Sequence, residues 1–163
     1  MRAVSNTSPI SSLAIIGKLP LLRSQFSEIW IPAAVLHELN DHPDSVALAA
    51  IHEAVRDKWI QPAVPKPSHL LGVLLSNLHR GEAEAIALAA DSNADIILID
   101  EHEGRRFANQ AGLTVTGVLG VLLRAKKSGL ISAVKPEVHA LRTKARFFIA
   151  SSLEARVLSA AGE

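Results

Sequence analysis

Side chains with oxygen atoms follow two apolar stretches of this sequence, at points where a strand would end. Asn6 follows the extended stretch 2–5, and Asp100 and Glu101 follow the apolar run 96–99. Ligands of parallel α/β sheets gather at the carboxyl ends of the strands, so these side chains are candidates for contacting a ligand. Two predicted helices add further carboxylates, which are those of Glu38, Glu82 and Glu84.

Each of these residues also has a purely structural explanation. Asp100 could cap the helix that follows it, where a carboxylate accepts hydrogen bonds from unpaired amides. Glu38 could be a solvated helix residue, and Asn6 could be only a turn residue. Glu82 and Glu84 stand in a first helical turn, where the helix dipole favours acids. Taken singly, these residues do not decide between structure and chemistry.

Strands and helices alternate among the elements that would position these side chains. Strands are predicted at 2–5, 28–31, 96–99 and 113–116, and the segment 118–161 predicts two or three helices. This order favours a parallel sheet with right-handed crossovers. The run 96–99 is apolar on both faces, as is typical of a central parallel strand.

Local signals predict where some of these elements begin and end. Ser8 is the predicted N-cap of the first helix, Pro9 its first residue and Gly17 its end. The segment 61–67 contains three prolines, which remove backbone donors, and it is predicted to be a loop within one domain.

The composition excludes several classes of protein. The chain has 163 residues, enough for one domain with one sizeable core. It contains no cysteine, which excludes disulfides, thiolate zinc sites and cysteine nucleophiles. Only 4% of the residues are aromatic, which argues against proteins that read single strands by stacking. The net charge of +1 argues against tight nonspecific coating of DNA.

The sequence also predicts where the protein resides. No apolar run approaches the length of about 20 residues that a membrane span needs. The first residues lack the apolar core of a signal peptide. We therefore expect a cytoplasmic protein.

Four segments, in order along the chain, resemble the motifs of PIN-domain proteins. The first is Val4-Ser5-Asn6-Thr7-Ser8-Pro9-Ile10, and the others are segments 30–39, 81–89 and 94–101. The triplet Gly104-Arg105-Arg106 and the pair Gly112-Leu113 also resemble a PIN-like subfamily long labelled only as of unknown function. The resemblance runs from residue 2 to about residue 130, and the segment 131–163 carries no recognised motif.

The resemblance implies a fold and an activity. The expected fold is a three-layer α/β/α domain, residues 1–163, with a central, mostly parallel sheet of four or five strands. The expected activity is metal-dependent cleavage of RNA phosphodiesters, with Mg²⁺ or Mn²⁺ as the cofactor. PIN domains are often the toxin component of a type II toxin–antitoxin pair.

The resemblance also assigns residues. By position, Asn6, Glu38, Glu84 and Asp100 match the four metal-binding positions of the family, and the last three are predicted to be catalytic. Glu101 is a register alternative to Asp100, and Glu82 could either substitute as a ligand or support the ligands without touching the ion. Hard ions such as Mg²⁺ and Mn²⁺ prefer these oxygen donors. The supporting residues implied by the motifs are Thr7 and Ser8 beside the first ligand, with Arg105 and Arg106 as phosphate contacts.

One position departs from the family pattern. Asn6 is an amide where nearly all active PIN nucleases have aspartate, so the site has one negative charge fewer. Two functions follow as alternatives. The protein is either a ribonuclease that works with a weaker metal site, or a noncatalytic PIN-like module that binds RNA or a protein.

Partners are also implied by the resemblance. An antitoxin peptide could cover the acidic cleft with arginine or lysine side chains. A homodimer is expected, and the apolar segment 147–149 could either form its interface or pack inward. The RNA substrate completes the expected partners.

Overall fold

The computed structural model describes residues 1–163, and a sheet of five parallel strands runs through its centre. The strands are β1 (Arg2–Ser5), β2 (Glu28–Pro32), β3 (Ile60–Ala63), β4 (Ile96–Leu98) and β5 (Val115–Thr116). Their order across the sheet is β3-β2-β1-β4-β5, and every neighbouring pair is parallel. The predicted α/β fold with a five-stranded sheet is confirmed.

Ten helices surround the sheet. They are α1 (Thr7–Ile15), α2 (Pro20–Gln25), α3 (Ala33–Asn40), α4 (Ser45–Arg56), α5 (His69–Leu75), α6 (Arg80–Asp91), α7 (His102–Gln110), α8 (Val118–Lys127), α9 (Lys135–Lys144) and α10 (Ser151–Ala161). None of them combines the length and the apolar composition that crossing a bilayer requires.

The alternation of side chains along the strands divides the core into two layers. In β1, Ala3 belongs to one apolar cluster and Val4 to the other. In β4, Leu98 lies in the first cluster and Ile97 in the second, so the clusters occupy opposite faces of the sheet. Helices α5, α6 and α7 cover the second face, and the remaining helices cover the first. The C-terminal helices contribute to the first cluster through Val138, Leu141 and Val157.

Two local predictions are wrong. The first helix begins at Thr7 with Asn6 as its N-cap, so Ser8 lies within the helix. The segment 61–67 is not all loop, because β3 pairs with β2 and Ile31 stands opposite Pro62. β3 is an edge strand, with a neighbour on one side only. A proline can occupy such a strand because its missing N–H need not face a second neighbour.

Candidate active site

The sheet brings the residues after β1 and β4 together. Ser5 pairs with Leu98 in the parallel register, so the two strands end side by side. Asn6 leaves β1 at this point and is only 3% exposed. Its side-chain Nδ2 donates a hydrogen bond to Oε2 of Glu101, 2.8 Å away. Two predicted site residues that are 95 positions apart in sequence therefore meet.

Helix α6 packs against both β1 and α3, and this packing brings Glu82 of α6 and Glu38 of α3 to the same place. Gly81 allows the close approach to α3, since a Cβ there would lie only 3.0 Å from Oε1 of Glu38. The Glu38 carboxylate accepts a hydrogen bond from the Thr7 hydroxyl. Thr7 was expected to support the side chain at position 6, and in the structure its hydroxyl contacts Glu38 instead.

These residues line an open cavity of about 680 Å³. We call it the acidic cavity, and its acidic or amide residues are Asn6, Glu38, Glu82 and Glu101. Cationic and polar side chains complete the wall, and they include those of Thr7, Ser8, His79, Arg80 and Arg146. Four of the six predicted metal ligands are therefore in one place.

The electrostatics of Glu82 set it apart from the other carboxylates. It is only 8% exposed. Burial raises the pKa of Glu82 above its ordinary value, and the negative charges of Glu101 and Glu38 raise it further. The backbone N–H of His79 donates to the Glu82 carboxylate at 3.3 Å and opposes the rise. Three carboxylates thus share a cavity with Arg80 and Arg146, and at Glu82 the cationic residues do not fully offset burial and the neighbouring negative charges.

A second polar group of the cavity, the side-chain oxygen of Asn6, lacks a favourable partner. This atom, Oδ1, is buried and has no hydrogen-bond partner. An unpaired buried acceptor costs about 1–3 kcal/mol. Because Nδ2 is committed to Glu101, turning the amide over would place Oδ1 against a carboxylate. A cation is the kind of ligand that would satisfy this oxygen and the neighbouring carboxylates together.

The donor set fits a hard divalent ion in kind, but the side chains are not closed around one. No three histidine or acidic side chains stand close enough to enclose a metal. Each carboxylate is turned toward a local donor instead, Glu38 toward Thr7 and Glu82 toward the His79 amide. Oxygen-only donors of this type suit Mg²⁺ or Mn²⁺.

Asp100 lies outside the acidic cavity. Its Oδ1 accepts a hydrogen bond from the backbone N–H of Val118 at 2.9 Å, at the first turn of α8. Gly117 makes room for this contact, because a Cβ there would overlap the same oxygen. Ser8 donates to Oδ2 at 3.4 Å. Burial raises the pKa of Asp100 to about 6, although the Val118 amide opposes the rise. Asp100 therefore caps a helix, as its structural explanation proposed, but the helix is α8 rather than α7.

Glu84 is also placed apart from the acidic cavity. Its Oε1 forms a salt bridge with Nε of Arg80 at 2.7 Å. It stands two positions from Glu82 on α6, and residues with that spacing point to different sides of a helix. The structure does not bring together the predicted catalytic set of Glu38, Glu84 and Asp100. Glu82 and Glu101, which the sequence offered as alternatives, lie beside Glu38 instead.

The predicted phosphate contacts are engaged elsewhere. Nη1 of Arg105 donates to the Ile99 carbonyl oxygen at 2.8 Å. Arg106 pairs with Glu103 at 2.7 Å and lies over the ring of Phe107. Neither arginine lines the acidic cavity. Arg146 does line it, and this residue belongs to the local basic group of Arg142, Lys144 and Arg146, in the segment without a recognised motif.

The structure is an α/β domain with an all-parallel sheet, in which Asn6 and Glu101 meet beyond the carboxyl ends of the neighbouring strands β1 and β4. The sequence profile of the PIN domain family matches residues 2–163, and the chain belongs to that family. The match includes the C-terminal helices, for which no motif was recognised.

A solved structure shows the same fold. It is that of a PilT N-terminus domain protein from the hyperthermophilic archaeon Sulfolobus solfataricus P2, and it matches with a TM-score of 0.52. The match has 21% sequence identity and covers 77% of this chain and 93% of the archaeal one. No curated protein matches the chain.

Proposed function

We propose that this protein is a metal-dependent endoribonuclease whose ion is held by Asn6, Glu38, Glu82 and Glu101. The observation that carries the proposal is the uncompensated charge of the acidic cavity. Burial and two neighbouring carboxylates raise the pKa of Glu82, and the Oδ1 of Asn6 is buried without a partner. Groups left in this state are characteristic of binding and catalytic sites. Membership of the PIN domain family supports nuclease chemistry.

Several residues of the acidic cavity have distinct roles in this proposal. Glu38, Glu82 and Glu101 supply negative charge, and Asn6 orients Glu101 through its Nδ2 hydrogen bond. Thr7 and the His79 amide hold the carboxylates of Glu38 and Glu82 at the wall of the cavity. A divalent ion, when bound, would activate water and stabilise charge on the phosphorus centre.

A cleavage assay tests the proposal. The purified protein is incubated with single-stranded RNA in Mn²⁺, in Mg²⁺ and in EDTA. Cleavage is expected only with the metal, and Glu82→Gln should lower the rate about 10³-fold because a ligand charge is lost. Glu84→Gln is the matched control, because Glu84 lies on the same helix but pairs with Arg80. Cleavage that persists in EDTA, or that Glu84→Gln abolishes while Glu82→Gln does not, contradicts the proposal.

A noncatalytic PIN-like module is the second candidate. Two observations favour it: Asn6 brings no charge, and no three acidic or histidine side chains are close enough to enclose a metal. In that case the wild-type protein binds RNA or a protein with the same affinity in Mn²⁺ and in EDTA, and leaves the RNA intact.

We further propose that the protein is the toxin of a type II toxin–antitoxin pair that acts in the cytoplasm. The acidic cavity is open and carries net negative charge, so an antitoxin segment rich in arginine or lysine would complement it. The expected homodimer also stays a prediction. Growth arrest on expression tests the toxin role, and light scattering of the purified protein tests the dimer.

A further inference from the structure

The loop between α9 and α10 forms one wall of the acidic cavity. This C-terminal loop comprises residues 145–150, and residues 145–148 of it line the cavity. Phe148 is 88% exposed, whereas its neighbour Ile149 is 5% exposed and belongs to the core. Phe147 packs partly against the same core. Phe147 and Ile149 therefore fix the backbone on both sides of Phe148, whose ring is exposed to solvent.

Phe148 also borders a second cavity. This cavity has a volume of about 620 Å³, and its charged residues are Arg105, Arg156 and Asp100, with His102 beside them. We call it the basic cavity. Phe147 and Phe148 line both cavities, so the C-terminal loop is the ridge that separates them. A chain that leaves the acidic cavity across this ridge enters the basic cavity.

Two arginines along this route are free to contact a ligand. Neither Arg146, in the acidic cavity, nor Arg156, in the basic cavity, takes part in a salt bridge. Arg146 adopts a positive φ of 51°, a conformation that costs a residue other than glycine some free energy. The hydrogen bond from the Phe147 amide to the Leu141 carbonyl, at 3.0 Å, helps to hold the loop in this form.

We propose that the C-terminal loop binds single-stranded RNA next to the scissile phosphate. Phe148 stacks on a base, while Arg146 and Arg156 contact phosphates on either side of it. The choice of RNA as the ligand rests on the proposed function, and the chemistry of the ridge supports it. An exposed ring between two unpaired cations matches a base flanked by phosphates, and stacking on an aromatic side chain is a general mode of single-strand binding. The low aromatic content of the chain argues against stacking-based binding in general, but Phe148 supplies one exposed ring at the edge of the acidic cavity.

A binding assay separates this proposal from cleavage. The probe is a fluorescein-labelled single-stranded RNA of about 12 nucleotides, measured by anisotropy in EDTA at low salt, where no metal-dependent cleavage occurs. Phe148→Ala should weaken binding about tenfold. Phe148→Leu should bind the RNA almost as weakly as Phe148→Ala, because leucine is apolar but has no ring to stack on a base. Phe148→Trp keeps an aromatic ring and should bind like the wild type. Val64→Ala, at another exposed apolar position, should bind like the wild type.

The arginines are tested through the salt dependence of binding. Arg146→Gly removes the charge and leaves a residue that tolerates the positive φ. Arg146→Gly and Arg156→Ala should each reduce the slope of log K against log salt by about one. Lys127→Ala removes an exposed charge at the end of α8 and should leave the slope unchanged.

Three results would overturn the proposal. The wild-type protein does not bind the RNA, or Phe148→Ala binds it as well as the wild type does, or Phe148→Ala converts a dimer into a monomer without changing RNA affinity. The last result would make the ridge a protein interface. If the Phe148 variants lose binding but the wild type never cleaves RNA, the loop proposal stands and the nuclease proposal fails. If cleavage is confirmed and the Phe148 variants bind normally, only the loop proposal fails.

Discussion

Glu82 of the acidic cavity and two carboxylates of the C-terminal region, those of Glu154 and Glu163, have opposite electrostatic environments. At α9 and α10, Glu154 pairs with Arg142 at 2.5 Å, and this partner holds the pKa of Glu154 below its ordinary value. Glu163 accepts hydrogen bonds from the Val134 and Lys135 amides at 2.6 and 2.9 Å, which lower its pKa as well. In the acidic cavity, burial and neighbouring negative charges raise the pKa of Glu82.

The difference indicates which carboxylates serve the fold. A carboxylate with a cationic or amide partner stabilises the folded state, whereas one with a raised pKa destabilises it when ionised. The C-terminal carboxylates act as links between elements that are distant in sequence. In the acidic cavity, the ionised form of Glu82 is held beside Glu38 and Glu101 at a cost in stability, and a cation would offset this cost.

Within this comparison, the largest expected effect comes from replacing one glutamate with glutamine in the acidic cavity and one in the C-terminal helices. Glu101→Gln should lower RNA cleavage about a hundredfold and leave the melting temperature unchanged or higher, because it removes a charge that raises the pKa of Glu82. Glu154→Gln should lower the melting temperature, because it breaks the pair with Arg142, and leave cleavage unchanged. Cleavage rates and thermal melts of both variants measure this. An equal loss of cleavage in both variants would contradict the claim that only the acidic cavity serves cleavage.

The next effect comes from a glycine that makes room for Glu82. A Cβ at Gly104 would lie 2.9 Å from Oε1 of Glu82 and would also overlap the side chain of Ile99. Gly104→Ala should therefore destabilise the protein by about 2 kcal/mol and reduce cleavage. Gly72→Ala is the matched control, because Gly72 lies in α5 with open space around it. It should stabilise the protein by about 0.5–1 kcal/mol. Urea denaturation of both variants decides the outcome.

Asn6→Asp adds a negative charge to the acidic cavity and so increases its electrostatic difference from the C-terminal helices. The Nδ2 hydrogen bond to Glu101, now 2.8 Å, would become a contact between two carboxylates. Without metal the variant should be less stable than the wild type by about 1 kcal/mol. With Mn²⁺ it should gain more stability than the wild type and bind the ion about tenfold more tightly, because another negative charge faces it. Thermal melts in EDTA and in Mn²⁺ measure both effects, and equal Mn²⁺ shifts in the two proteins would contradict the account.

The smallest effect concerns the pH dependence of the C-terminal region. Because the pKa of Glu163 is lowered on folding, its contribution to stability is present above the ordinary glutamate pKa of about 4.3. It is lost as the pH falls through the lowered value. Glu163→Gln should therefore melt slightly below the wild type at pH 7, and the difference should shrink as the pH falls below about 4.3 and vanish below the lowered pKa of Glu163. A difference that grows as the pH falls would contradict this assignment.

Much of the fold could be predicted from the sequence, because apolar runs and chain breaks are local signals. The central strand β4 was identified by its apolar run, and Gly17 ends the first helix with a positive φ of 70°. The strand β3 was missed because prolines suggested a loop, and only its edge position in the sheet permits Pro62.

The candidate site was less predictable, because tertiary contacts choose among neighbouring residues. Glu82 and Glu84 have the same type and almost the same position, and the packing of α6 decides which one faces the acidic cavity. The backbone N–H of Val118, 18 residues after Asp100, binds the Asp100 carboxylate outside the acidic cavity. Glu101 is therefore the residue of this pair that lines the cavity. Phe148 reaches the cavity only through the packing of α9 and α10, for which no sequence motif was recognised.

Titration of Mn²⁺ by calorimetry into the wild type, Glu82→Gln and Glu84→Gln tests the central claim most directly. The account predicts binding to the wild type and to Glu84→Gln with similar affinity, and weak or no binding to Glu82→Gln. Both variants remove one carboxylate charge from the same helix, so a general effect of charge would be equal in the two. Loss of binding in Glu84→Gln with binding retained in Glu82→Gln would contradict the account, as would a wild-type protein that binds no Mn²⁺.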